Sequence, residues 1–194
     1  MKKLLLLPLF GLLALTHFSL AVPAFAQAKP TTATATAQKE SPWEKMFPNG
    51  LLAKAHQKSE SAKKDVLKKL NGKFVGIYHS ANWCGFCHLF TPQLIAFYKK
   101  NKKDFEVVFV SGDKSEEQRR AYAKSSKMPW LAAPLGEKNG APRAGGYPCL
   151  HVLTPDGKIL TTISGANRKE SKDSRLHVDL RKKMDDWKES AAKK

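Results

Sequence analysis

Residues 73–101 constrain the fold more than any other part of this 194-residue chain. Residues 73–79 (KFVGIYH) form a run of bulky and β-branched side chains that suits a pleated, buried strand. Residues 80–83 lead from it into Cys84-Gly85-Phe86-Cys87-His88, and a helix is expected over about 85–101, kinked at Pro92. Two cysteines at this spacing make a dithiol that can close into a disulfide. At a helix start, free backbone N–H groups and the positive end of the helix dipole favour the thiolate of Cys84, which is the reactive form.

The same five residues also read C-x-x-C-H, the attachment pattern of c-type haem, with His88 as axial ligand. Cys84, Cys87 and Cys149 with a histidine would form a zinc set, and an inert structural disulfide is the remaining alternative. A strand immediately before the motif favours the dithiol over haem. No ligand spacing supports zinc, so no metal is expected.

The rest of the chain supplies the elements around this unit. Residues 51–70 carry Leu51, Leu52, Ala55, Ala62, Val66, Leu67 and Leu70 at positions that can share one helical face, with Asn71-Gly72 as the stop. Residues 106–110 (EVVFV) predict a second buried strand, 115–127 a polar helix, and 128–135 an apolar, partly extended segment. Residues 136–147 are rich in Gly and Pro and read as a loop. Residues 149–153 and 159–164 predict a hairpin about Pro155-Asp156-Gly157-Lys158. A last helix is expected over about 172–190, with Leu176, Leu180, Met184 and Trp187 on its apolar face. Strands separated by helices, followed by a hairpin, imply an α/β fold with a mixed sheet. The dithiol then falls at the carboxyl end of the first core strand, where open α/β sheets carry their sites.

The N-terminus reads as a secretory signal over residues 1–26: Lys2 and Lys3, an apolar run from Leu4, and Ala24-Phe25-Ala26 as a cleavage site. Residues 27–41 form a Thr/Ala-rich linker that cannot bury a core. Residues 42–194 form the folded domain with an N-terminal helical extension. The pattern looks bacterial, so the expected destination is the periplasm, where dithiols must be actively kept reduced or oxidised. The net charge of +17 comes largely from lysines in helical segments, which read as solvated faces, with an anionic partner as the alternative; export argues against nucleic acid.

Residues 75–92 (VGIYHSANWCGFCHLFTP) resemble the thioredoxin-like family, in its nucleoredoxin and tryparedoxin branch. Trp83 before the first cysteine and Phe90-Thr91-Pro92 after the second carry the likeness. Residues 106–112 and 128–132 extend it, and residues 146–150 (GYPCL) resemble the family's G-x-P-T-L. The resemblance spans about residues 70–190 and implies a three-layer sandwich with a mixed central sheet flanked by helices. It implies a cis bond before Pro148 facing the dithiol, and a substrate surface formed by Trp83, Gly85, Phe86, Tyr147 and Pro148. This chain departs from the branch at Gly85-Phe86, where Pro-Pro or Gly-Pro is usual, and at Cys149, where threonine is usual. It also has a short Gly-rich segment before Pro148. Tyr78 stands where thioredoxins proper place a buried aspartate, so deprotonation of Cys87 needs another route. Cys149 reads either as a small buried hydrophobe or as an accessory thiol.

The resemblance implies a thiol:disulfide oxidoreductase that reduces or isomerises disulfides through a mixed disulfide, and the N-terminal pattern places it among exported proteins. It would use no cofactor beyond the redox-active Cys84–Cys87 pair. Its partners would be disulfide-containing proteins and a membrane or periplasmic electron donor, and a monomer is expected. The rival class is a redox-inactive binding module with a basic docking surface.

Overall fold

A computed structural model describes residues 41–164 and 175–193. The expected signal sequence, and the linker apart from Ser41, lie outside the described residues, as does the start of the last predicted helix. The central strand, β1 (Phe74–Ser80), is buried along all seven residues, as a strand flanked on both edges and covered on both faces must be. It pairs in parallel with β2 (Phe105–Ser111), Phe74 opposite Phe105. The short strand β3 (Leu131–Ala132) extends the parallel part beyond β2. On the other side β1 pairs antiparallel with β4 (Cys149–Leu153), which pairs antiparallel with β5 (Ile159–Ser164). The order is β3-β2-β1-β4-β5, a mixed five-stranded sheet.

Helices cover one face. The long helix α2 (Gly85–Asn101) turns Cys87, Phe90, Leu94 and Phe97 onto Phe74, Tyr78, Phe105, Phe109, Leu150 and Val152. It runs unbroken through Pro92. The C-terminal helix α4 (Arg175–Ala192) adds Leu180 and Met184 to the same core, and its Trp187 ring meets Phe74 edge-on at 5.3 Å. Tyr122 and Ala123 of α3 (Glu116–Ser125) close this layer at the β2 side.

The N-terminal segment covers the other face. Helix α1 (Pro42–Met46) and the residues after it bring Trp43, Phe47, Leu51, Val66, Leu67 and Leu70 onto Val75, Ile77, Val108 and Leu153. The single helix expected over 51–70 is not formed. Gly50 has φ +81°, and its α-carbon stands so close to the Lys63 backbone that a Cβ would lie 2.3 Å from the Lys63 carbonyl carbon. Leu51 exchanges backbone hydrogen bonds with Lys63, and Leu52 with Ala132. Only residues 59–61 and 64–70 coil, as 3-10 turns. A helix would consume these backbone groups internally, whereas here tertiary partners take them. Leu52 and Leu51 consequently enter opposite layers of the core.

Arg119 of α3 fixes the segment between. It is fully buried and donates to the carbonyls of Ala55 (2.5 Å) and Gln57, and to the Glu116 carboxylate. Glu116 in turn accepts from Ser59 N (2.7 Å) and Ser59 Oγ (3.0 Å), and these hydrogen bonds with Arg119 hold its carboxyl below the usual range.

Candidate active site

Cys84 and Cys87 form a disulfide, with their α-carbons 5.2 Å apart, at the carboxyl end of β1. Cys84 is the N-cap of α2, and its Sγ accepts from Cys87 N at 3.2 Å. The helix behind it is 17 residues long and carries no acidic residue in its first turn. Its N-terminal field therefore acts on Cys84 unopposed by a carboxylate of that turn. Both cysteines are buried, Cys84 retaining 6% of its surface and Cys87 none, so Cys84 is the more exposed residue of the pair.

The loop after β2 fixes the residues before the pair. Asp113, itself buried, accepts from Asn82 N and from Ser111 Oγ, both at 2.8 Å. Trp83 Nε1 donates to Gly112 O at 3.1 Å. The Tyr147 side chain packs directly on Gly112: a Cβ there would stand 2.5 Å from the Tyr147 hydroxyl oxygen and displace it. The Trp83 and Tyr147 rings meet at 5.3 Å, and the Tyr147–Pro148 bond is cis. Around the disulfide, Trp83 (61%), Phe86 (54%) and Leu89 (67%) are exposed. Trp83, Gly85, Phe86 and Tyr147 are therefore gathered about the pair, and Leu89, not singled out from the sequence, extends the apolar rim one turn along α2.

Beneath the pair lies a chain of buried hydroxyls. Thr91 Oγ1 donates to Cys87 O (2.8 Å) and lies 2.8 Å from both Tyr78 Oη and Tyr122 Oη. A carbonyl only accepts, so the Thr91 proton is committed to Cys87 O, and both phenols must donate to Thr91 Oγ1. Tyr122 Oη is then free to accept from Ser80 Oγ at 3.0 Å. Burial, reinforced by Tyr122 beside it, pushes the Tyr78 phenol well above its ordinary pKa, so Tyr78 acts here as a neutral donor. On the outer side His88 Nε2 lies 2.7 Å from Asn82 O and must donate to it, while its ring meets Tyr122 edge-on at 4.9 Å.

Cys149 is not brought to the pair. It is free and buried, and it lies opposite His79 in the β1–β4 register. Alternation along β4 sends Leu150 and Val152 to the α2 layer and Cys149 and His151 to the other face. Cys149 Sγ is 3.4 Å from His151 Nε2, and burial raises its thiol pKa. The two histidines were not legible as a pair from sequence. Their rings stand 5.6 Å apart, and their Nε2 atoms reach consecutive carbonyls of the Gly-rich loop, Pro142 O (2.8 Å, from His79) and Arg143 O (3.2 Å, from His151). Burial lowers both histidine pKa values. Together they hold the loop that ends at Tyr147-Pro148. Among the described residues no group of three or more His, Cys, Asp or Glu is placed to hold a metal ion.

A mixed sheet, a dithiol capping the helix after its central strand and a cis-proline across from it define a thioredoxin-fold protein. A family model described as "Thioredoxin-like" matches residues 71–159. A thioredoxin from Wuchereria bancrofti is 34% identical over 70% of this chain and 97% of its own, with a TM-score of 0.55. Tryparedoxin II from C. fasciculata is 35% identical over 69% and 93%, with a TM-score of 0.52. Mouse nucleoredoxin is 36% identical over 129 residues, 62% of this chain. The match spans only 28% of the nucleoredoxin. The chain belongs to the thioredoxin-like family of oxidoreductases, in its nucleoredoxin/tryparedoxin-like branch.

Proposed function

We propose that this chain is an exported thiol:disulfide oxidoreductase that reduces, or isomerises, disulfides in extracytoplasmic proteins. The observation that carries the reading is Cys84: the less buried residue of a disulfide pair, set at the N-cap of a long helix. Comparable placements lower a thiol pKa to about 3.5–7.5.

In the reduced protein the Cys84 thiolate attacks one sulfur of a substrate disulfide. A mixed disulfide forms and the other substrate sulfur leaves as a thiolate. Cys87 then loses its proton and attacks Cys84 Sγ, which closes the Cys84–Cys87 disulfide and releases the second substrate thiolate. The substrate gains two electrons and, in water, two protons. A membrane or periplasmic electron donor with a dithiol of its own would return the electrons. The pair itself serves as the redox group, without a further cofactor.

Exposed Trp83, Phe86 and Leu89, with half-buried Tyr147 against Trp83 and buried cis-Pro148 behind it, support a polypeptide substrate, because an exposed apolar rim is what an unfolded or extended chain can cover. Lys2, Lys3, the apolar run from Leu4 and Ala24-Phe25-Ala26 support export and a periplasmic site of action. The test is reduction of insulin by dithiothreitol with and without the protein. Catalysed precipitation, lost in Cys84→Ser, is expected; no acceleration would leave a binding module on the same fold. Direction follows from the reduction potential. A value near −270 mV marks a reductant and one near −120 mV an oxidant, and the reductant is expected.

A further inference from the structure

The end of the sheet opposite the dithiol carries a concentration of lysine. The register places the starts of β1 and β2 together there, with the end of β4 beside them. The β4–β5 turn lies at the same end, and so does the chain entry. Ser41 Oγ donates to Asn71 Oδ1 at 3.3 Å, and Pro42 sits against Gly157. Helix α2 runs from the dithiol back toward this end, and its 17 residues span about 25 Å.

Lys68 and Lys69 precede the turn into β1, and Lys99, Lys100, Lys102 and Lys103 form the corner between α2 and β2. All six are exposed, and none makes a salt bridge among the described residues. Nearby acids are already engaged. Asp104 holds both Arg181 and Lys188, Glu106 faces Lys73, and Asp156 holds Lys158. Asp185 and Asp186 are taken by Arg181 and Lys182. Of the nearby acids, Glu44 and Asp65, both exposed and lining one pocket with Lys68, make no such bridge.

We infer that this lysine end docks on an anionic phospholipid surface and holds the dithiol pointing away from it. Two features favour lipid over an acidic protein. The six charges are spread over separate junctions. All are lysines, point charges suited to a diffuse field, where paired recognition of protein carboxylates favours arginine. About 25 Å separates the two ends, well beyond the roughly 8–10 Å reach of charge at physiological salt, so docking and redox chemistry are electrostatically independent.

The test is co-sedimentation of the exported protein, without residues 1–26, with vesicles of equimolar phosphatidylglycerol and phosphatidylcholine, in about 0.1 M salt. Each lysine close to such a surface is worth about fivefold in partitioning. Replacing Lys99, Lys100, Lys102 and Lys103 by Gln should lower binding by a factor on the order of 100–1000. The same replacement of Lys54, Lys58, Lys114 and Lys124, on the α3 flank and the dithiol end, should cost far less. High salt should release the wild type. Three outcomes would overturn the inference: equal loss in both variants, equal binding to phosphatidylcholine alone, or binding to polyglutamate but not to the anionic vesicles.

Discussion

Thr91 is the point on which the buried hydroxyls converge, so its replacement by the near-isosteric valine isolates their contribution. In Thr91→Val the shape is kept, while Tyr78 and Tyr122 lose the oxygen to which both donate at 2.8 Å. Cys87 O loses only the side-chain bond, since it can still take its backbone donor within α2. A buried donor left without a partner costs about 1–3 kcal/mol. With two phenols affected and some relaxation, the expected loss is about 2–4 kcal/mol, or about 5–15 °C in Tm for a domain of this size. The assay is urea denaturation of the oxidised protein, with Tyr78→Phe as the second arm of a double-mutant cycle. Removing both partners of a hydrogen bond is far milder than removing one. Thr91→Val/Tyr78→Phe should therefore cost less than the sum of the single changes by about 1 kcal/mol. A Thr91→Val cost under about 0.5 kcal/mol, or strict additivity in the cycle, would refute the buried hydrogen bonds assigned between Thr91 and these phenols.

Arg119→Met should destabilise by about 3–5 kcal/mol, because it leaves the Ala55 and Gln57 carbonyls and the Glu116 carboxylate without their buried cation; a urea midpoint close to wild type would show that residues 55–59 hold themselves. His79 and His151 have lowered pKa values in the folded protein, so the unfolded chain binds more protons than the native one below the ordinary value of 6.5. Their contribution is fully present above that value and is lost as pH falls from it through the folded pKa values. The difference in urea stability between wild type and His79→Gln/His151→Gln should shrink on going from about pH 8 to about pH 5, and a difference that grows would contradict the assignment.

How far the fold could be read from sequence varied by region for physical reasons. The β4–β5 hairpin was legible to the residue, because a Pro-Asp-Gly-Lys turn between two β-rich runs leaves little alternative. β1 and the helix after the dithiol were legible because seven consecutive buried residues leave the sheet at an N-cap that the cysteine itself supplies. The segment 51–70 misled because its apolar spacing fits a helix, while its backbone groups are taken by Lys63, Ala132 and Arg119, the latter two more than sixty residues away. At the site, Cys84, Cys87, Trp83 and Pro148 were readable as a motif. The hydroxyl chain was not, since Tyr122 lies 31 residues from Thr91 and 42 from Ser80. Nor was the His79–His151 pair, which only the antiparallel β1–β4 register brings together.

The most direct test is to trap the mixed disulfide. Cys87→Ser protein, reduced and then mixed with a disulfide-bonded polypeptide, should accumulate a covalent adduct that mass spectrometry locates at Cys84 and that dithiothreitol releases. An adduct at Cys149, or none under conditions where wild type turns over, would contradict the role assigned to the Cys84 thiolate.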